Sequence, residues 1–254
     1  MSAAGNWIWY ELLTSNVEAA VKFYGEVIGW KPKPHVAVPG YYLFSAKDAD
    51  IGGMMALAPE AGLGKPVWIG YVAVESVDAT VDGLLKAGAQ ACVPPTTYPG
   101  VGRFSMLRDP QGAPFYVMKP ESQAGGVSRS FAAEVGHCQW NELLTSDPAA
   151  ALAFYTRQLG WEKGDVMPMG PMGDYQFLIN DGVRFGALMK RAEPQAPSLW
   201  RFYFGVEDID RAARAIVAGG GNLKGEPQPV PGGGFAVAAF DPQGAEFGVA
   251  GPRR

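Results

Sequence analysis

Two glutamates, Glu11 and Glu142, occupy the same place in two copies of one motif, Trp-Xaa-Glu-Leu-Leu-Thr-Ser followed by Asn or Asp, at Trp9–Asn16 and Trp140–Asp147. A carboxylate set among tryptophans and aliphatic residues has two kinds of use. Burial raises its pKa toward the range of a general base, or leaves it a hydrogen-bond acceptor for a polar ligand. Alternatively it serves the fold by pairing with a cation such as Arg201 or Arg103, or by accepting from backbone amides; both readings stay open on sequence. Side chains two apart on a strand share a face. If Leu12 and Thr14 pack under helices, Trp7, Trp9 and Glu11 look the other way, as do Cys138, Trp140 and Glu142 in the second copy. By the same count Glu246 shares a face with Gly248, so Glu142 and Glu246 are expected to point into one pocket. The flanking tryptophans read either as core filler or as the wall of an aromatic, mostly apolar pocket.

The elements that would position these residues also repeat. Trp9 and Trp140 are offset by 131 residues, and a second shared motif, Asp109-Pro110-Gln111-Gly112-Ala113 and Asp241-Pro242-Gln243-Gly244-Ala245, is offset by 132. One register held to within a single insertion makes the chain a duplication of whole domains, too long in period for a solenoid. The expected domains are 5–120 and 134–252, with residues 121–130 as linker. Each half holds the same grammar twice. A strand such as Trp7–Thr14 or Val67–Val74 leads to a polar cap (Asn16, Ser76, Asp147 or Asp208), then to a helix closed at or near glycine. Short strands follow, and Asp-Pro-Gln-Gly reads as a type I turn between the last two. The prediction is an α+β protein of four βαβββ units.

Composition narrows the function. Twenty-one Lys and Arg against 25 Asp and Glu, with no basic block, lack the charge that non-specific nucleic-acid binding needs. No apolar run is long enough to span a bilayer, and no signal-peptide pattern opens the chain. Nucleic acid and membrane are therefore not expected partners, and a cytoplasmic monomer or homodimer is. Cys92 and Cys138 do not correspond across the repeat and read as free thiols. The Gly-rich runs Gly219–Gly221 and Gly232–Gly234 do not open helices after strands and read as connections.

Paired βαβββ units, the strand-cap-helix opening with Phe-Tyr and Gly-Trp, and the Asp-Pro-Xaa-Gly hairpin together resemble the vicinal oxygen chelate superfamily of glyoxalase I, bleomycin-resistance proteins and extradiol dioxygenases. The resemblance implies two tandem glyoxalase-like domains, a small-molecule cavity between paired units, and lyase, isomerase or dioxygenase chemistry in the metal-dependent members. It also implies metal ligands at set places: seven residues before each cap, and near the end of each last strand. Those places fall on Trp9, Ile69, Trp140 and Arg201, and on Tyr116 and Gly248. Divalent metals take His, carboxylate or thiolate donors, which these residues lack. Nearby, Met54–Ala56 and Ala187–Met189 offer only Met, Ala and Leu, and His35 and His137 do not correspond across the repeat and read as loop or surface residues. No metal or other cofactor is expected at the family's usual positions; a shifted, carboxylate-based site stays open. The expected function is binding of a small aromatic or apolar molecule by Trp9, Ile69, Tyr116, Trp140, Arg201 and Glu246, with Glu11 and Glu142 as the candidate catalytic groups. The alternative is a lyase, isomerase or dioxygenase with a relocated metal or a carboxylate-based site.

Overall fold

The computed structural model describes residues 4–36, 38–46, 49–58, 62–121 and 130–254; of the expected linker, residues 122–129 lie outside them. Four βαβββ units follow one another. The first is β1 (Trp7–Thr14), α1 (Val17–Ile28), β2 (Lys33–Pro34), β3 (Tyr42–Ala46) and β4 (Ala49–Ala56); the second is β5 (Val67–Ala73), α2 (Val77–Lys86), β6 (Gln90–Tyr98), β7 (Gly102–Arg108) and β8 (Pro114–Pro120). The third is β9 (Cys138–Thr145), α3 (Pro148–Leu159), β10 (Glu162–Pro168), β11 (Asp174–Asn180) and β12 (Val183–Lys190). The fourth is β13 (Leu199–Gly205), α4 (Ile209–Ala218), β14 (Asn222–Leu223), β15 (Gln228–Pro229), β16 (Phe235–Phe240) and β17 (Glu246–Gly251). Here the strand after the helix is split, since β14 and β15 both pair with β16. Gly225, at φ 146, lies in the break.

The helices start where short polar side chains replace the missing intrahelical acceptor. Asn16, Ser76, Asp147 and Asp208 each accept a backbone N–H of the first turn of their own helix, which removes one orphan donor apiece. Gly29 (φ 90) and Gly160 (φ 74) close α1 and α3 in the left-handed conformation that a side chain disfavours. Each unit then folds into a run of strands, in the orders β2-β3-β4-β1, β5-β8-β7-β6, β10-β11-β12-β9 and β13-β17-β16-β14. The first strand of a unit pairs in parallel with its last. Glu11 thus lies opposite Gly53, Tyr71 opposite Tyr116, Glu142 opposite Ala187, and Tyr203 opposite Gly248.

The chain forms two compact units, each drawn from both sequence halves. One gathers Trp9–Ile69, Ser128–Trp140 and Arg201–Arg254; the other gathers Met1–Ile8, Gly70–Val127 and Asn141–Trp200. The first has an aromatic core in which Trp30 stacks on Phe44 at 4.1 Å, with Tyr24, Trp68, Phe204 and Phe247 around them. In the second, Tyr155 stacks on Trp161 at 5.1 Å beside Trp200, Phe115 and Phe185. Rings of this size supply much of the apolar burial that drives folding. Their polar tips are matched as well: the Trp30 indole donates to the Gly136 carbonyl at 2.7 Å and that of Trp161 to Gly5 at 2.8 Å.

The Asp-Pro-Gln-Gly turns do more than reverse the chain. Gly112 donates to the Asp109 carbonyl at 2.9 Å, as a type I turn requires, while Asp109 Oδ1 accepts from the backbone N–H of Gln111 and Ala113. The other carboxylate oxygen is buried and accepts from the Tyr155 hydroxyl at 3.0 Å, which in turn accepts from Trp200 Nε1 at 3.0 Å. The companion unit repeats the relay: Trp68 Nε1 donates to the Tyr24 hydroxyl at 2.8 Å, and Tyr24 donates to Asp241 Oδ2 at 3.0 Å. Burial pushes both aspartates above the ordinary carboxylate value, against the pull of these donors. Burial, followed by the aspartate's charge, pushes both tyrosines well above theirs.

Two expectations about faces and exposure are corrected. Trp7 and Cys138 do not follow the alternation of Trp9 and Trp140. The Trp7 ring packs at 5.0 Å from Trp200 and 5.8 Å from Trp161, in the core beside α3, because burial against two indoles outweighs the pleat at the end of a strand. Cys138 is fully buried, donates to the Trp140 carbonyl and bonds the Tyr10 hydroxyl, and Tyr10 itself packs on Phe202 and Phe204. His137, expected in a loop or at the surface, lies in the loop just before β9 but is buried at 3% exposure.

Candidate functional site

Trp68 and Trp200 turn toward the helices, where they bond Tyr24 of α1 and Tyr155 of α3. Their odd-numbered neighbours therefore take the opposite sheet face. Ile69 is wholly buried and has no polar atom to offer. Tyr71 stacks face to face on Tyr116, 4.0 Å apart and within 2° of parallel, with Phe104 edge-on to both. The last-strand place where the resemblance puts a metal ligand is thus filled by one ring of an aromatic pair.

Around the first-half motif, Trp9 Nε1 donates to the Tyr41 hydroxyl at 2.9 Å. Gly53, opposite Glu11, is covered by the same tyrosine: a Cβ there would lie 2.2 Å from Tyr41 Oη. Trp9, Tyr41 and the 4%-exposed Glu11 thus sit on one patch of strand, with the His35 ring edge-on to Tyr41 at 6.0 Å. In the other compact unit Tyr175, the counterpart of Tyr41, donates to Glu142 Oε1 at 2.8 Å. Glu142 is buried at 6% exposure, so this bond removes part of the cost of taking a carboxylate out of water. Trp140 is half-buried.

Arg201 and Glu246 come together directly. Arg201 Nε donates to Glu246 Oε1 at 2.9 Å and Nη2 bonds the same oxygen, while Nη1 donates to the Tyr203 hydroxyl at 3.2 Å. Lys224 Nζ adds a third donor to Oε1 at 2.8 Å and lies 5.0 Å from the Phe240 ring centre. Burial works to raise the Glu246 carboxyl, but the Arg201 charge and the Lys224 and Arg201 hydrogen bonds outweigh it and hold the group below its ordinary value. Gly248 is where Tyr203 rests: a Cβ at that position would meet Tyr203 Cδ1 at 2.2 Å. The suggested role of Arg103 as a partner for a motif glutamate is corrected as well, since its guanidinium grips both Asp78 oxygens, at 2.7 and 2.6 Å, on the exposed surface. Glu246, expected as a ligand-facing carboxylate, is the acceptor of a three-donor ion pair.

Three tyrosines, Tyr41, Tyr175 and Tyr203, and Lys224 belong to these clusters and were not singled out by sequence. The signal for the first two is their matching place in the repeat: Tyr41 stands just before β3 and Tyr175 is the second residue of β11. Among the described residues no three His, Cys, Asp or Glu side chains gather in a way that could hold a metal ion. Glu246 is committed to Arg201 and Lys224, and Glu142 accepts from the Tyr175 phenol. No helix among the described residues is long and apolar enough to cross a membrane.

A family model described as the Glyoxalase/Bleomycin resistance protein/Dioxygenase superfamily matches residues 8–117 and 134–249. A putative glyoxylase, CFP32, of Mycobacterium tuberculosis (strain CDC 1551 / Oshkosh) is 33% identical over 249 residues, covering 96% of this chain and 94% of its own. An anthracycline biosynthesis protein, DauV, of Streptomyces sp. (strain C5) is 28% identical over 262 residues, covering 97% and 93%. Among solved structures, the Mn(II)-bound glyoxalase of Novosphingobium aromaticivorans superposes with a TM-score of 0.67 at 18% identity over 100% of this chain and 84% of that one. The 2,3-dioxygenase LapB of Pseudomonas sp. KL28 gives 0.65 at 15%, over 99% and 94%. At these identities the two structures share the fold.

Proposed function

Because the chain belongs to the Glyoxalase/Bleomycin resistance protein/Dioxygenase superfamily, whose fold hosts many chemistries, we propose from its side chains that it binds a small aromatic or apolar molecule without a metal at the family's usual positions. The binding surface is, in each compact unit taken by itself, the sheet face turned away from the helices. The observation that carries the reading is the chemistry of that face. Trp9 bonded to Tyr41 in one unit, and Tyr71 stacked on Tyr116 in the other, each set flat apolar area with a few polar edges there, the usual make-up of a small-molecule site. The anthracycline biosynthesis relatives make a polycyclic aromatic a natural first class to test.

A second reading, a carboxylate-based lyase or isomerase, has one observation in its favour. Glu142 is buried and holds a phenol at 2.8 Å, the pairing of a carboxylate base with a proton carrier. Glu142→Gln separates the two, since turnover of a candidate substrate would fall while binding persists.

The test is a thermal-shift series with flat aromatics and, separately, with Zn, Ni, Mn and Fe ions, backed by elemental analysis of the purified protein. A ligand at a hundred times its dissociation constant stabilises by about 2.7 kcal/mol. Aromatics are expected to raise the Tm and metal ions to leave it unchanged. About one tightly held transition metal per chain, or a Tm raised by metals and by no aromatic, would overturn the reading.

A further inference from the structure

The ion pair of the fourth unit uses one side of its carboxylate. Arg201 Nε, Arg201 Nη2 and Lys224 Nζ all bond Glu246 Oε1, and no described residue donates to Oε2. Nor is Oε2 sealed in the core: it is not one of the buried side-chain atoms that the described residues leave without a partner, and the side chain keeps 11% exposure. The Arg201 charge and the Lys224 and Arg201 bonds keep the group ionised at neutral pH. An ionised carboxylate accepts hydrogen bonds and donates none. Oε2 is therefore a charged acceptor, held in place through its twin and open on its own side.

The sheet beside it carries small side chains. Phe240 lies opposite Glu246, Ala238 opposite Gly248 and Ala236 opposite Ala250 in the register of β16 and β17, and residues directly opposite share a face. Ala236, Ala238 and Phe240 are all half-buried. The Tyr203 ring lies over Gly248, so the two alanines form a floor with Tyr203 along one side and Glu246 and Phe240 at one end. The duplication supplies an internal contrast. At the offset of 132, the second unit has Phe104 in the place of Ala236, Met106 in that of Ala238, Pro114 in that of Glu246 and Ile69 in that of Arg201. Met106 is wholly buried, and Phe104 stands edge-on to Tyr71 and Tyr116. Bulk fills one face where the other keeps alanines next to a charged acceptor.

We infer that the fourth unit selects flat aromatic molecules carrying a neutral N–H or O–H group, which donates to Glu246 Oε2, with Arg201 and Lys224 as positioning residues. A cationic donor such as an ammonium is disfavoured, because those two positive charges stand on the other oxygen. The inference rests on the aromatic-ligand reading above and adds both the functional group and the face that reads it. A hydrogen bond to a charged group is worth about ten-fold in affinity at the lower end of its range.

The experiment compares two isomers, 3-methylindole and 1-methylindole, by saturation-transfer NMR titration on the full chain. They have the same rings and the same number of carbons, and only the first has an N–H. Wild type should bind 3-methylindole about ten-fold more tightly. Glu246→Gln, which sets an amide in place of the open acceptor, should remove that preference and leave 1-methylindole bound as before. Asp78→Asn, the loss of a carboxylate on the exposed surface, should change neither. Should Glu246→Gln fail to fold, Glu246→Asp keeps the charge for Arg201 but draws the oxygens back by one methylene, and the preference should shrink. Equal weakening of both probes in the Glu246 variant would reduce the residue to support of the fold and overturn the inference, as would a preference that survives the substitution. Wild-type binding of both isomers with equal affinity overturns the inference but leaves the aromatic-ligand reading standing. Binding of neither probe removes both.

Discussion

Replacing Tyr24 by phenylalanine deletes one oxygen from the middle of a buried relay. That oxygen accepts from Trp68 Nε1 at 2.8 Å and donates to Asp241 Oδ2 at 3.0 Å, and Tyr24 and Trp68 are 0% and 1% exposed. No water replaces the lost partner without room being made for it. An orphaned buried N–H costs about 1–3 kcal/mol, and a lost bond to a carboxylate about 1.5–3. Asp241 keeps its two backbone donors on Oδ1, which places the expected loss near the lower end, about 3 kcal/mol. For a chain of marginal stability that is a large fraction of the total. Urea unfolding followed by tryptophan fluorescence measures it, with Tyr98→Phe at an exposed site as the control expected within about 0.5 kcal/mol of wild type. Tyr155→Phe should match Tyr24→Phe, since Trp200 and Asp109 repeat the geometry. A loss no larger than the control's would refute the assignment of the two turn aspartates as structural acceptors.

The Cys138 thiol is pushed up to about 12, chiefly by burial, so a thiol reagent at pH 8 should label Cys92 in the native protein and reach Cys138 only after denaturation, as mass spectrometry of the labelled peptides would show. Gly248→Ala drives a Cβ into the Tyr203 ring and should cost about 1–3 kcal/mol in urea unfolding; an unchanged midpoint would mean that the ring is not fixed there. The Glu246 carboxyl is held low in the folded state, so the stability it adds is present above its unfolded pKa and is lost as pH falls through the folded one; Glu246→Gln should lower stability at neutral pH and shrink the difference from wild type on the acid side. Asp109 and Asp241 act in the opposite sense: with folded values raised, the stability linked to them is present below the ordinary carboxylate value and is lost as pH rises through the folded one, so Asp241→Asn should reduce the pH dependence just above that value.

Local rules made much of the fold legible. The four caps were readable because a short polar side chain bonds its own first turn whatever else the protein does. The turn at Asp109 was readable for the same reason, but its second carboxylate oxygen was not, because its partner lies 46 residues away and that of Asp241 lies 217 residues away. The matching Phe-Tyr pairs in α1 and α3 were the available signal. Tyr41 and Tyr175 escaped because they are 134 residues apart rather than the 131 of the adjacent motif, the loops before them differing in length. Trp7 was misplaced because alternation assumes a regular pleat up to the strand's first residue. At the site, strand alternation located Arg201 and Glu246 on their faces but gave no sign that they would bond each other, since residues on neighbouring strands meet by register.

The two relays also carry a statement about how such a chain could arise. Tyr24 of the first half bonds Asp241 of the second, and Tyr155 of the second bonds Asp109 of the first. Exchange of labels between the halves leaves the pair of contacts unchanged, which is the signature of an isologous, two-fold interface. Two separate copies of one half could make the same bonds by trading elements, but only at concentrations that kept them together. Joined in one chain, the partners are always present at a high effective concentration, and the exchange no longer obliges the halves to be identical. Ile69 can then stand in one and Arg201 in the other, so that positions equivalent under the repeat come to carry different chemistry.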